Sequence, residues 1–178
     1  MRILWVFLLF LLPGCGSGTT SGAPSVGNSP ERTPSYDEAG VTFAIPKEWS
    51  TREFPGWKNS IVAGPVRNEF APNINVVTEN FDGDLSAYAD ASEAMLEKIF
   101  EDYKKVSRTD FKSESGVKMI KLVITNKQHK KPLRQWFYTF NGSGSKKYVI
   151  TCTALSDSGA ELDSTFDETM KTLKLKTE

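Results

Sequence analysis

The sequence predicts an α+β fold, an α-β-α sandwich around a mainly antiparallel sheet of about six to seven strands. Strand-like runs recur in the second half of the chain and are joined by short turns that contain glycine, as in sequential hairpins. Two other stretches repeat apolar residues every three or four positions, which is typical of amphipathic helices, one long and central and one C-terminal. Two of the strand-like runs are apolar at consecutive positions, which indicates that helices cover both faces of the sheet.

Residues 1–14 have the features of a secretion signal. Arg2 supplies a basic start, the run from Ile3 to Leu12 is apolar, and Pro13-Gly14 precedes the expected cleavage position. The run is much shorter than the roughly 20 apolar residues that span a bilayer. The sequence therefore predicts a cleaved signal and not a transmembrane helix.

The residues around Cys15 suggest a lipid anchor. Leu12-Pro13-Gly14-Cys15 resembles the lipobox of bacterial lipoproteins, with Pro13 in place of the usual Ala or Ser. The resemblance implies that Cys15 becomes the mature N-terminus and carries fatty acyl chains such as palmitate. Residues 15–35 are rich in Gly, Ser, Thr and Pro, which predicts a flexible tether that reaches roughly 25 Å. We therefore expect a membrane-anchored protein of the cell membrane or outer membrane, facing the periplasm or the cell exterior.

A globular domain is expected at 36–178, and its first half should contain three short strands and a long helix. Apolar alternation and short apolar runs place the strands at 41–45, 60–64 and 74–78. From Leu85 to Tyr103 the apolar residues fall on one side of a helix of about five turns. Asp84 precedes this helix and is the expected N-cap, since its carboxylate can accept hydrogen bonds from backbone donors.

The second half should contain a four-stranded meander and a terminal helix. The strands are predicted at 106–114, 117–125, 133–141 and 146–154, with glycine-containing turns inside the first and last pairs. Ser158 and Glu161 have the spacing of a capping box. The apolar face of the following helix is predicted to consist of Leu162, Phe166, Met170 and Leu173. The tail at 174–176 either adds a short strand or frays.

Composition excludes several classes of function. The chain has 22 basic and 22 acidic residues, so it lacks the basic field of a nucleic-acid-binding protein. It has one histidine, no phosphate-binding loop and no metal-spaced cysteines, and we predict no metal, no cofactor and no catalytic residue. Cys152 lies in a strand-like run and is expected to be a buried, inert thiol. Asp82-Gly83-Asp84 is interpreted as a turn and helix cap, because the rest of a calcium loop is missing.

Two places on the surface are candidates for partner binding. Trp57 follows Pro55-Gly56 in a loop, where it could anchor an interface or fold back as a lid beside Trp49. The residues His129, Lys130 and Lys131 form a basic loop that could contact lipid head groups or an acidic partner. The alternative is a charged hairpin tip that keeps a strand edge soluble.

Three segments resemble the PsbP-like superfamily, which includes the DcrB-related lipoproteins. The first is the strand at 40–49 that ends in Pro46 and Trp49, the second is the strand at 148–154, and the third is the terminal helix at 166–174. The resemblance implies an α-β-α sandwich around an antiparallel sheet and an accessory or binding role without catalysis. No ligand residue of the family can be matched to this sequence.

These observations favour a non-catalytic, membrane-tethered extracytoplasmic lipoprotein that binds an unidentified protein partner through a monomeric domain. The alternative is an extracytoplasmic hydrolase with an unrecognised carboxylate or serine site. A cleft in which titratable groups with perturbed pKa values converge would favour the hydrolase. An exposed apolar or aromatic patch would favour the binding protein.

Overall fold

The computed structural model describes residues 34–54 and 56–176. The predicted signal, the Cys15 lipidation site and all but the end of the predicted tether lie outside these residues. No helix in the described part of the chain is long and apolar enough to cross a membrane.

The described residues form two antiparallel sheets. The small sheet contains β1 (Ser35–Glu38), β2 (Val41–Ala44) and β10 (Lys174–Leu175), with β2 in the centre. The large sheet contains β3 (Ser50–Arg52), β4 (Ile61–Ala63), β5 (Asn73–Asn80), β6 (Glu101–Lys112), β7 (Lys118–Gln128), β8 (Lys131–Asn141) and β9 (Lys146–Leu155). Its order is β3-β4-β5-β9-β8-β7-β6, so β9, the last strand of this sheet along the chain, lies between β5 and β8.

Three helices complete the fold of the described residues. They are α1 (Leu85–Ile99), the one-turn α2 (Ser156–Gly159) and α3 (Asp163–Lys171). A 3-10 turn at Ala160–Leu162 connects α2 to α3.

The large sheet separates two apolar clusters, because alternate residues of a strand point to opposite faces. On one face, Tyr88 and Leu96 of α1 pack against a cluster that includes Phe137 of β8. On the other face, α3 and the small sheet pack against Trp136 and Tyr138, the neighbours of Phe137 in the same strand. Helices therefore cover both faces of the sheet, and the predicted α-β-α sandwich is confirmed.

Several local predictions are also confirmed. Asp84 Oδ1 accepts a hydrogen bond from the backbone N–H of Ala87 at 2.8 Å, which makes Asp84 the N-cap of α1. On α3 and the residues after it, Phe166, Met170 and Leu173 are fully buried. The four-stranded meander has the predicted order, and the tail forms β10 instead of fraying.

The central helix is shorter than predicted. It ends at Ile99, and Tyr103 lies in β6. The register of β6 against β7 shifts between Glu101 and Lys104, which indicates a bulge. Phe100 and Tyr103 both pack on the apolar cluster that includes Tyr88 and Leu96 of α1. Their three-residue spacing had predicted a longer helix, but here a bulged strand brings both side chains to that cluster.

The predicted capping box is wrong. Ser158 lies inside α2, and no side chain caps α2 or α3. The chain enters α3 from a preceding helical turn, and the backbone N–H of Asp163 bonds to the carbonyl of Ala160. A backbone carbonyl, and not a serine side chain, therefore accepts a hydrogen bond at the start of α3.

Candidate interaction surface

The predicted basic loop is a tight turn between β7 and β8. Gln128 pairs with Lys131, and the turn consists of His129 and Lys130 alone. Both turn residues have left-handed backbone conformations, with φ of 49° and 66°. Two successive left-handed residues define the type I′ turn that matches the twist of a hairpin. Both side chains are exposed.

A second turn of the same kind lies in the connection between β4 and β5. Arg67 and Phe70 exchange backbone hydrogen bonds with N···O distances of 2.9 and 3.0 Å. Asn68 and Glu69 between them have φ of 50° and 57°. Phe70 is buried and holds the turn against the domain, whereas the preceding Val66 is 57% exposed.

Lys131 joins the two turns. Its Nζ donates a hydrogen bond to the carbonyl oxygen of Glu69 at 3.3 Å and lies 3.9 Å from Glu69 Oε2. The two turns are therefore neighbours at one end of the large sheet, although 62 residues separate them in sequence. We call this surface the basic apex and define it by Val66, Arg67, Asn68, Glu69, His129, Lys130 and Lys131.

The charges of the basic apex are unequal. Three of its residues are cationic at neutral pH, and its one carboxylate belongs to Glu69. That carboxylate lies beside Lys131. None of the ion pairs between described residues involves Arg67, His129 or Lys130. Arg67 and Lys130 are therefore exposed cations without an ion pair among the described residues.

Trp57 does not lie near the basic apex. Its loop precedes β4, whereas the turn with Asn68 follows β4, so the two loops leave opposite ends of that strand. Trp57 is half-buried, and its backbone N–H donates to the carbonyl of Phe54 at 3.1 Å. It is also Trp49, and not Trp57, whose ring contacts Phe166, with the ring centroids 5.8 Å apart.

A shallow groove of about 280 Å³ lies where the small sheet meets the turn between β6 and β7. Ser35 and Lys174 line it from the small sheet, and Glu114 and Ser115 line it from the turn. The Ser115 hydroxyl donates to the carbonyl of Leu173 at 2.6 Å, and no histidine lines the groove. A serine nucleophile needs an adjacent base, so this groove does not support the hydrolase alternative.

Two carboxylates of α3 connect that helix to the sheet. Asp163 accepts hydrogen bonds from Arg134 Nη2 at 2.9 and 3.1 Å and from Trp136 Nε1 at 2.5 Å. Asp167 accepts one from Lys121 Nζ at 2.5 Å and another from the Tyr138 hydroxyl. The donors come from β7 and β8, so these charged groups serve to dock the helix.

Burial also changes the protonation of groups in and near this cluster. Burial, together with the nearby Asp167 and other negative groups, raises the pKa of the Tyr138 phenol far above its ordinary value. Burial likewise raises the pKa of the Cys152 thiol well above its ordinary value. Cys152 is fully buried, as predicted. A thiol of this kind is protonated at neutral pH and inaccessible, so it is not a nucleophile.

No group of three or more His, Cys, Asp or Glu side chains in the described part of the chain could hold a metal ion.

The sequence identified only half of the basic apex. The residues His129, Lys130 and Lys131 were candidates because they form a basic run. The structure places His129 and Lys130 on an exposed turn and Lys131, which is partly buried, at the start of β8. No pattern in the sequence singled out the segment 67–70, which connects β4 to β5. Asn68 is the signal that could have revealed a turn there, because asparagine tolerates the left-handed conformation.

The arrangement of sheets and helices is shared with several solved structures, one of which is a PsbP protein. No protein-family model and no curated protein sequence matches this chain. Among solved structures, CyanoP, the PsbP of the cyanobacterium Synechocystis sp. PCC 6803, aligns with a TM-score of 0.59 and 11% identity. The alignment covers 85% of this chain and 98% of CyanoP.

Two further structures share the fold. LpqN from Mycobacterium tuberculosis, described as involved in cell envelope biogenesis, aligns with a TM-score of 0.61 and 13% identity over 77% of this chain and 83% of LpqN. PA94 from Pseudomonas aeruginosa, a protein of unknown function and a suggested regulator, aligns with a TM-score of 0.58 and 16% identity over 82% and 98% of the two chains. At these identities the likeness establishes the fold alone.

Proposed function

We propose that this chain is a non-catalytic accessory lipoprotein of the bacterial envelope, which binds a protein partner through a tethered domain. The observation that carries the proposal is the sequence Leu12-Pro13-Gly14-Cys15, followed by a polar segment and then by a PsbP-like fold. The description of LpqN as involved in envelope biogenesis supports an envelope role.

In this proposal residues 1–14 are the signal, residues 15–35 are the lipidated cysteine with its tether, and residues 36–178 are a monomeric binding domain. Acyl chains on Cys15 hold the protein at the cell membrane or outer membrane, on the periplasmic or exterior side. More than one acyl chain is needed for stable anchoring, which agrees with lipoprotein-type modification.

The absence of catalysis is proposed from what the ionisable groups do. The carboxylates Asp163 and Asp167 are occupied in docking α3, and the thiol of Cys152 is buried. These two carboxylates thus stabilise the fold. Partner binding is assigned to exposed loops, where binding residues are most common, and the candidates are Trp57 and the basic apex.

The anchor is tested by Cys15→Ala in the native host. We expect the variant to leave the membrane fraction and to appear in the soluble fraction, because it has no thiol to lipidate. Cys152→Ala is the matched control, since it removes the other cysteine of the chain and should stay with the membranes. Equal retention of both variants on membranes would show that Cys15 is not the anchor.

A further inference from the structure

We infer that the basic apex binds a carboxylate-rich segment of a protein that lies away from the anchoring membrane. The inference rests on the proposed function, because it assumes that the tether carries the lipid. It assigns the partner's chemistry and the direction in which the domain presents its binding surface.

The first argument is charge. The side chains of Arg67, His129 and Lys130 are exposed and have no ion pair among the described residues. Lys131 holds the two turns side by side through Glu69. The exposed cations Arg67 and Lys130 therefore lie on two adjoining backbone turns, where one carboxylate-rich segment can contact both. Complementary charge of this kind contributes mainly to specificity and association rate.

The second argument is direction. Ser35, where the proposed tether joins the domain, lines the groove together with Ser115 of the turn between β6 and β7. β7 runs from that turn to the apex turn and contains 11 residues. At about 3.3 Å per residue it places the apex about 35 Å from the end that carries the tether.

This separation favours a protein over the lipids of the anchoring membrane. The domain end at Ser35 is nearest to the proposed anchor, so the apex is displayed on the far side. The apex also has one exposed apolar residue, Val66, whereas surfaces that enter the lipid interface combine cations with several apolar or aromatic residues.

The third argument is the backbone of the turns. Type I′ turns strongly prefer glycine at the second central position, where the left-handed conformation is least costly. Here the second positions are occupied by Glu69 and Lys130. Lys130 contributes a cation to the apex, whereas Glu69 contacts Lys131 and thereby holds the two turns together. Strained backbone conformations are frequent at functional sites.

The test uses the lipidated protein in phosphatidylcholine nanodiscs and a labelled polyglutamate peptide of about ten residues, followed by fluorescence anisotropy. We expect saturable binding that weakens with salt. Arg67→Gln combined with Lys130→Gln should weaken it by about three- to ten-fold, the range expected for two exposed ion pairs. Lys112→Gln combined with Lys118→Gln is the matched control, because it removes two exposed cations at the opposite end of the sheet.

The inference is overturned if the peptide does not bind, or if the two double variants lose affinity equally. A lipid partner is tested separately by labelling Val66→Cys with bimane, since Cys152 is buried and Cys15 is acylated in the proposal. Vesicles that contain brominated phosphatidylglycerol should leave the label unquenched. Quenching that disappears in the Arg67→Gln, Lys130→Gln background would assign the apex to lipid and overturn a protein partner.

The outcomes separate this inference from the proposed function. If Cys15→Ala is released from membranes while the apex variants bind normally, the anchored binding protein stands and the apex assignment fails. If Cys15→Ala remains on membranes, the proposed anchor fails, and the direction argument fails with it.

Discussion

Lys130 occupies a backbone conformation that glycine would adopt at lower cost. A left-handed conformation costs an L-residue roughly 1–2 kcal/mol, while glycine adds about 0.5–1 kcal/mol through the entropy of the unfolded chain. The free energy of folding is therefore more favourable with glycine than with lysine at this position of the β7–β8 turn.

We predict that Lys130→Gly raises the free energy of unfolding by about 0.5–1 kcal/mol, the difference between these two costs. Urea denaturation measures the change, and the same variant should bind polyglutamate more weakly. Lys112→Gly in β6 is the control and should lower stability, because a strand position gains nothing from glycine. A loss of stability in Lys130→Gly would remove the backbone argument for the apex.

Trp57 is the second residue whose role a substitution can decide. None of the aromatic ring contacts between described residues involves it, although Trp49 and Trp136 both contact Phe166. We predict that Trp57→Ala lowers the melting temperature by less than about 2 °C, which corresponds to well under 1 kcal/mol for a domain of this size. Differential scanning calorimetry measures the shift, and a fall of several degrees would identify Trp57 as a structural lid.

Among the elements, α3 depends on one buried face. Phe166 is fully buried and contacts the rings of Trp49 and Trp136, with centroid distances of 5.8 and 4.8 Å. Trp49 in turn lies against Gly64, where an added Cβ would come within 2.6 Å of the indole ring. Glycine at this position lets the Trp49 indole approach the backbone of residue 64. The indole thereby packs Phe166 of α3 against the segment before β3.

We predict that Phe166→Ala lowers the free energy of unfolding by about 3–5 kcal/mol, because it leaves a cavity under α3. Chemical denaturation measures this loss. Glu168→Ala, on the exposed side of the same helix, should change stability by less than about 0.5 kcal/mol. A loss below about 1 kcal/mol in Phe166→Ala would contradict the placement of this face.

β6 is the long edge strand of the large sheet, and it has features that oppose pairing with other chains. Its register against β7 shifts at two places, and Lys104 and Lys105 are exposed. Bulges and lysines of this kind protect edge strands from aggregation. The irregular first half of β6 is consistent with the monomeric domain that we propose.

At the scale of the whole molecule, buried acidic protons link stability to pH. Burial raises the pKa of the Cys152 thiol and of the Tyr36 and Tyr138 phenols above ordinary values of 9.0 and 10.0. In the unfolded chain these groups lose their protons at the ordinary values, while in the folded chain they keep them. The unfolded state then binds fewer protons, so stability falls as pH rises.

We predict full stability below pH of about 9 and a progressive loss above it, as the unfolded thiol and then the unfolded phenols ionise. Urea denaturation between neutral pH and about pH 11 measures the decline. Cys152→Ala removes the thiol and should make the first part of the decline shallower. Constant stability across this range would contradict the burial of these groups.

The amino-acid sequence by itself determined the local elements of this protein. Alternation and helical spacing predicted the meander and the apolar face of α3, and Asp84 predicted the start of α1. These features depend on neighbours within one or two turns or along one strand, so the order of residues carries them. The basic run at 129–131 was visible for the same reason. The short strands β1 and β3 were missed, because three or four mostly polar residues carry no detectable period.

Only the tertiary structure decided how the elements combine. It placed β1, β2 and β10 in a separate sheet, ended α1 at Ile99, and brought the turn at 67–70 beside Lys131. It also placed Trp57 and the basic apex at opposite ends of β4. Each of these results depends on contacts between residues far apart in sequence, and Lys131 and Glu69, 62 residues apart, are the example. Such contacts form only when the whole chain buries its apolar surface, which no local pattern of residues specifies.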